Sequence, residues 1–292
     1  MKNTTNSSKE TYRIGVDIGG TKINAVLLKN NEVIESCKLA TPSDNLNNFI
    51  NIFKAVINPL FERATKDGVE VDFIGVGAPG AINYQAEFIL NSPNLPILNE
   101  LKLLKRLRAD LQLNLPMRLD NDANCFTRAE ALLGAGKNYQ NIYGLTIGTG
   151  IGGGWWFNQQ IYLGAHGGVG DPGAMLIDLD NKINLEQAYK KLTQNNPRLL
   201  AQEAYDGDIL AEKCFQELGA YLGLAFANLV NLIDPEIIIV GGGASASSDL
   251  FLKTAQKTMN RYLVSKDAKK IKIVKSELGN DAGAIGAALL IN

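Results

Sequence analysis

The 292 residues are 46% hydrophobic and 20% charged, the balance of an ordinary soluble globular protein with room for two medium domains or one large one. With 29 basic and 30 acidic residues the net charge is -1, which excludes a general electrostatic pull toward nucleic acid or a membrane surface. No run reaches the ~18 apolar residues of a membrane span, so a cytoplasmic protein is expected.

In chain order, the opening MKNTTNSSKET is polar and has no apolar core, so it does not read as a signal peptide and is expected to fray. "YRIGVDIGGTKINAVLLKNNEVI" (12–34) is an apolar run broken by two glycines and then resumed. Alternation around "KNNE" predicts three antiparallel strands at roughly 12–18, 23–29 and 33–40. Phe49, Ile50, Phe53, Val56, Ile57, Leu60 and Phe61 recur at helical spacing over 46–65, where Pro59 predicts a kink or break. "VDFIGVGAPG" (71–80) reads as a strand entering a glycine and proline turn, and 98–111 as a helix.

The second half replays this order. "NIYGLTIGTGIGGGWWFNQQIYLG" (141–164) gives strand, glycine turn, strand, polar turn and short strand. A helix follows at about 208–232, then "PEIIIVGGGAS" (235–245), a helix at 248–264, a strand at 271–275 and a small-residue helix from 281. Two such copies predict mixed sheets with helices on their faces, and two glycine turns on opposite walls of one cleft. The expected hinge lies near 117–120, and the final helix is expected to pack back on the first half. Cys37, Cys125 and Cys214 are far apart and read as reduced, mostly buried thiols, neither a disulfide framework nor a CxxC metal site.

A tight hairpin alone explains one pair of glycines. Here "DIGGTK" gathers Asp17, Gly19, Gly20, Thr21 and Lys22, and "TIGTGIGGG" gathers Thr146, Gly148, Thr149 and Gly150 with further glycines. Backbone N–H groups left open by absent side chains form anion nests, so two facing turns favour a polyphosphate. Neither is a P-loop, since GxxxxGK[ST] is absent, and no GxGxxG opens a helix as a dinucleotide site requires. Asp17, at a strand end beside the first nest, suits a hydrated magnesium ion. Lys22 reads equally as a phosphate partner or a solvated hairpin lysine.

"RLDNDANCFTRAEALLG" sets Asp120, Asn121 and Asp122 at the mouth of a helix. Capping accounts for one of the three. If the cleft holds a triphosphate and an alcohol, one carboxylate is needed to orient the hydroxyl and collect its proton as the phosphoryl bond forms. Asp122 is assigned that role, Asn121 a hydrogen bond to a substrate hydroxyl, and Asp120 a structural one.

These segments together resemble the sugar kinases of the ROK family (repressor, open reading frame, kinase), within the actin-like ATPase superfamily. The resemblance spans about residues 12–291. "DIGGTK" and "TIGTGIGGG" match its two phosphate motifs, "DPEIIIVGGG" (234–243) the turn beside adenosine, and "GAPG", "SPNL" and "DNDAN" its sugar-side segments. It implies an α/β fold of two ribonuclease H-like (actin-like ATPase) domains around a central cleft. The expected division is 1–119, completed by a helix at 281–292, and 120–280. It also implies ATP and Mg2+ as cofactors and phosphorylation of a hexose or N-acyl hexosamine, usually on the 6-hydroxyl.

By the same resemblance, Asp122 accepts the proton and Gly80, Asn94 and Asn121 contact sugar. The glutamate of the GExGH motif falls on Asp171, a further sugar-binding glutamate on Glu186, and Gly242 and Gly243 lie at the adenosine. Ala174 stands where the family has a histidine shared by sugar and zinc, and "MLIDLDNKI" replaces the CxCGxxGC cluster, so no structural zinc is expected. His166, the sole histidine, reads as a sugar contact or a loop residue. Glucose is the expected substrate. N-acetylmannosamine, N-acetylglucosamine, fructose and allose stay open, as does a catalytically weak sugar sensor. A homodimer is implied, with "GWWFNQQIYLG" the one hint of a contact patch. Only eleven polar residues precede the first strand, so the winged helix of the repressor branch, and DNA binding, are not expected.

Overall fold

Residues 10–291 are described by the computed structural model, so most of the opening stretch expected to fray lies outside the described residues. The apolar runs of β1 (Tyr12–Ile18) and β2 (Lys22–Lys29), buried on both faces, and the more exposed β3 (Glu32–Ala40) build an antiparallel meander. α1 (Leu46–Lys66) follows, capped by the Asn45 side chain, which accepts from the Asn48 amide at 2.8 Å. Of the kink or break expected at Pro59, no break occurs: one helix runs through it. The helix buries Phe49, Ile50, Phe53, Val56, Ile57, Leu60 and Ala64 against the sheet. Each large side chain contributes roughly 1.5–3 kcal/mol, together outweighing the ~3 kcal/mol a proline costs.

β4 (Phe73–Ala78) runs parallel to β1, and β5 (Ala81–Asn83) and β6 (Phe88–Asn91) form a hairpin beyond it. The helix expected from 98 is a 3-10 turn at Pro96–Leu98 and then α2 (Leu103–Leu111). β7 (Met117–Asn121) completes the first sheet in the order β3-β2-β1-β4-β7, so the expected hinge is a paired strand. It passes without a loop into α3 (Asp122–Leu133).

The second sheet repeats that topology. β8 (Asn141–Ile147), β9 (Ile151–Phe157) and β10 (Gln160–Ile161) form its antiparallel part. A small hairpin of β11 (Leu176–Asp178) and β12 (Ile183–Asn184) leads to α4 (Leu185–Leu192), α5 (Pro197–Tyr205) and the long α6 (Ile209–Ile233). β13 (Ile237–Gly241) pairs parallel with β8; a 3-10 stretch, Gly243–Leu250, precedes α7 (Leu252–Tyr262), where one helix was expected. β14 (Lys272–Lys275) closes the order β10-β9-β8-β13-β14, and α8 (Ala282–Ala288) ends the chain. Among the described residues no helix is long and apolar enough to cross a membrane.

Three cores result. One lies between the first sheet and α1 and α2; a second lies between the second sheet and α4 to α7. The third joins the lobes: Val26 and Leu28 of the first sheet meet Ile142, Trp156, Ile237 and Ile239 of the second through α3 and α8. α8 sits directly on β1 and β4 because both present glycine there. A Cβ on Gly15 would lie 1.9 Å from the Ala284 carbonyl oxygen, and one on Gly75 1.8 Å from that of Ala287. The three cysteines are free thiols; Cys125 is buried, but Cys37 and Cys214 are only half-buried, against the expectation for them.

Candidate active site

Strand register brings the chemistry together. Lys38, Asn24, Asp17, Gly77 and Asp120 are successive partners across β3, β2, β1, β4 and β7. Because side chains alternate, this row shares one face. It is the face toward α8: a Cβ on Gly283 would lie 2.6 Å from Asp17 Oδ2, so the glycine leaves room for the carboxylate.

The first glycine turn joins β1 to β2. Gly19 N–H donates to the Lys22 carbonyl at 3.0 Å, and the Thr41 hydroxyl donates to the Gly19 carbonyl at 2.7 Å. The second turn joins β8 to β9. Gly148 N–H donates to Gly150 O at 2.9 Å, and Tyr189 Oη–H donates to Gly148 O at 2.8 Å. The two turns face each other across Asn94: a Cβ on Gly20 would lie 3.5 Å from Asn94 O and 3.9 Å from Thr149 Oγ1. Gly242, at φ +81°, lies against Ile147, the last residue of β8, and a Cβ on Gly148 or Gly243 would meet nothing. These glycines leave open backbone where two strands of the second sheet end. Thr146 differs from its expected place, since its hydroxyl donates to Gly152 O at 3.4 Å within the sheet. Thr21 and Lys22 are exposed.

Asp122 is the first residue of α3. Burial pushes its carboxyl up to about 6; the Ala123 N–H and its own hold it down, and the Asp171 and Asp120 charges raise it. Asp17 is pushed up to about 7, first by burial and then by the Asp122 charge, with Lys38 and Lys22 pulling it back. Two carboxylates thus share a poorly solvated cleft with too little positive charge nearby. That fits a divalent cation, which Asp17 would hold through water. Among the described residues no group of three or more His, Cys, Asp or Glu side chains could hold a metal, so phosphate and water would supply the other ligands.

Asn121 turns out to be the cap of α3. Its Oδ1 accepts from Ala123 N at 2.9 Å and Asn124 N at 3.2 Å, and its Nδ2 donates to Gly80 O at 3.1 Å. One Nδ2 hydrogen is left for a substrate. Gly80, at φ +102°, could not carry a side chain, because a Cβ would sit 2.0 Å from Asn91 O. Glu186 serves the second turn: it accepts from Ile151 N at 2.8 Å and from Lys190 Nζ at 2.6 Å, with Gly150 packed on its carboxylate. Asp171 is exposed, accepts from Gly173 N at 3.2 Å, and has a raised pKa from partial burial and from Glu186. Ala174 and His166 are exposed, and the segment replacing the zinc loop forms the β11–β12 hairpin.

Sequence reasoning missed Lys38, Tyr84, Arg128 and Tyr189. Lys38 could have been found from the hairpin register, two strands from Asp17; the others depend on tertiary contacts.

Two sheets of one topology, with a glycine turn from each close to the other and an acid at a helix mouth, match the two-lobed build of the actin-like ATPases. The chain matches the ROK family over residues 13–292. It is 29% identical to a glucokinase of Streptomyces coelicolor, covering 94% of this chain and 96% of that one. It is 30% identical to an N-acetyl-D-glucosamine kinase of Haemophilus influenzae, over 94% and 98%. Its fold superposes with a TM-score of 0.81 on the crystal structure of a ROK family glucokinase from Streptomyces griseus in complex with glucose and AMPPNP, at 26% identity over 96% of this chain and 98% of that one. The chain belongs to the ROK family, as an ATP-dependent sugar kinase.

Proposed function

We propose that the protein transfers the γ-phosphoryl group of ATP to the 6-hydroxyl of a hexose, glucose first. The observation that supports this most is the position of Asp122: a half-buried carboxylate at a helix N-terminus, with a pKa raised to about 6. It stays ionised at neutral pH yet is more basic than an exposed aspartate. The sugar oxygen attacks the γ-phosphorus as the bond to ADP breaks, and its proton passes to Asp122. The remaining Asn121 N–H, Asn94 and Asp171 orient the sugar. The nests at Gly19, Gly20 and Thr21 and at Gly148, Thr149 and Gly150 hold the phosphates, with Gly242 and Gly243 beside the nucleoside. Mg2+ near Asp17 would neutralise phosphate charge.

The proposed lobes are 1–119 with 281–292, and 120–280, a boundary that falls inside β7, whose Asp120 and Asn121 stay paired in the first sheet. A second reading, an N-acetylmannosamine or N-acetylglucosamine kinase, is favoured by the exposed Ala174 beside Asp171, where a small side chain leaves room for a bulkier substituent. A cytoplasmic homodimer completes the proposal. The half-buried Trp155 packs on the exposed Phe157 and Tyr162 at ring separations of 5.4 and 4.8 Å, an aromatic patch at the β9–β10 edge.

The test is ADP release from Mg-ATP against glucose, mannose, fructose, allose, N-acetylglucosamine and N-acetylmannosamine. Glucose well above the rest supports the first reading and an N-acetyl sugar the second. Silence across the panel from a folded, ATP-binding protein supports a sugar sensor instead.

A further inference from the structure

The corner where β7 becomes α3 holds a buried polar cluster that the reaction as described does not use. Asp120, 3% exposed, accepts through Oδ1 from the Tyr84 hydroxyl at 2.9 Å, Asn124 Nδ2 at 3.0 Å and Asn121 N at 2.7 Å. Its Oδ2 accepts from an Arg128 Nη at 2.7 Å. Tyr84 comes from the turn between β5 and β6, whereas Asn124 and Arg128 come from the first two turns of α3.

Stability alone is a poor reason for such a cluster. Taking an ion pair out of water costs several kcal/mol per ion, and apolar residues of equal volume often do as well. The other terminal nitrogen of Arg128 is also buried without a partner. What apolar packing cannot do is fix a backbone direction. Asp120 holds the Asn121 N–H while the Asn121 side chain is held by α3 and Gly80, so the residue that launches Asp122 is fixed on three sides. Across the cleft the Tyr84 ring lies on Gly167, where a Cβ would come within 2.9 Å of Cε2. Gly167, at φ +73°, is in the loop that leads to Asp171.

We propose that Tyr84 and Arg128 are positioning residues for phosphoryl transfer. They hold Asp120, and through it the Asn121–Asp122 corner, in register with the loop that carries Asp171. The proposal rests on Asp122 being the proton acceptor.

The test compares Tyr84→Phe, Arg128→Met and Arg128→Lys in steady-state kinetics with the hexose of highest turnover, alongside thermal melting and AMPPNP binding by calorimetry. Tyr84→Phe keeps the ring on Gly167 and removes only the hydroxyl. It should lower kcat about tenfold, with KM for sugar and AMPPNP affinity within about twofold, because misorientation acts on the chemical step. Arg128→Met should lose more and Arg128→Lys should recover part of it. A folded Tyr84→Phe enzyme with wild-type kcat overturns the proposal, as does an Arg128→Lys enzyme no better than Arg128→Met. If Arg128→Met does not fold, Tyr84→Phe decides alone. Asp122→Asn separates the two levels. Normal turnover there overturns the proton-acceptor reading itself; an inactive Asp122→Asn enzyme beside a normal Tyr84→Phe enzyme overturns only the positioning role.

Discussion

Burial raises both the Asp17 and the Asp122 carboxyl; the Asp122 charge lifts Asp17 further against Lys38 and Lys22, and the Asp171 and Asp120 charges lift Asp122. For Asp122 the direction sets a pH profile. The free enzyme must have this carboxylate ionised, so kcat/KM should fall about tenfold per pH unit below about 6 and level off above it, rather than breaking near 4 as for an exposed aspartate. Asp122→Asn should lower kcat by about two to four orders of magnitude while AMPPNP affinity stays within a few-fold. Near-normal turnover in that variant would remove the assigned role. Asp17 and Asp122 were readable in the sequence because their neighbours, two glycines on one side and an asparagine-rich helix mouth on the other, have few purely structural explanations. Asn121 was readable only in part: its amide does the capping that the sequence left to any one of three residues. Tyr84 and Arg128 were invisible, since nothing local says that a tyrosine in a hairpin turn reaches an aspartate 36 residues later.

Most elements that carry the motifs were anticipated to within a few residues, whereas β7, read as a hinge, α4, α5 and the β5–β6 and β11–β12 hairpins were not. All of these are short, and their local patterns are weak against tertiary packing. α4 illustrates what that concealed. Its Glu186 reaches back to Ile151 N and pins the second glycine turn. Glu186→Gln should therefore raise KM for ATP by severalfold and change KM for sugar less; the reverse split would return Glu186 to the sugar, as the resemblance implied. At the other end of the chain, α8 depends on backbone contact with β1. Gly15→Ala places a carbon 1.9 Å from a helix carbonyl, which neither sheet nor helix can yield cheaply. It should lower stability by about 1–3 kcal/mol or more, read as a falling melting midpoint in urea. An unchanged midpoint would mean that α8 packs elsewhere.

Across the whole molecule the internal repeat was the most informative feature of the sequence. It foretold two sheets of one topology, and the structure has them, with β7, read from the sequence as a hinge, as the fifth strand of the first. It did not foretell the shared third core, because the residues that build it, from Val26 to Ala288, are spread over nearly the entire chain. That core joins the lobes through α3 and α8 while the glycine turns of the two sheets lie close to each other. Closure around substrate would exclude water that otherwise takes the phosphoryl group. Small-angle scattering should show a smaller radius of gyration with sugar and AMPPNP than without; no compaction would argue for a cleft already closed.

The most direct measurement is 31P NMR of the protein with Mg-ATP and glucose, run in parallel with Asp122→Asn. A sugar-6-phosphate resonance growing in step with ADP, absent over the same period in the variant, is the predicted result. ADP accompanied by inorganic phosphate regardless of sugar would contradict the account and make the protein an ATPase of the same fold.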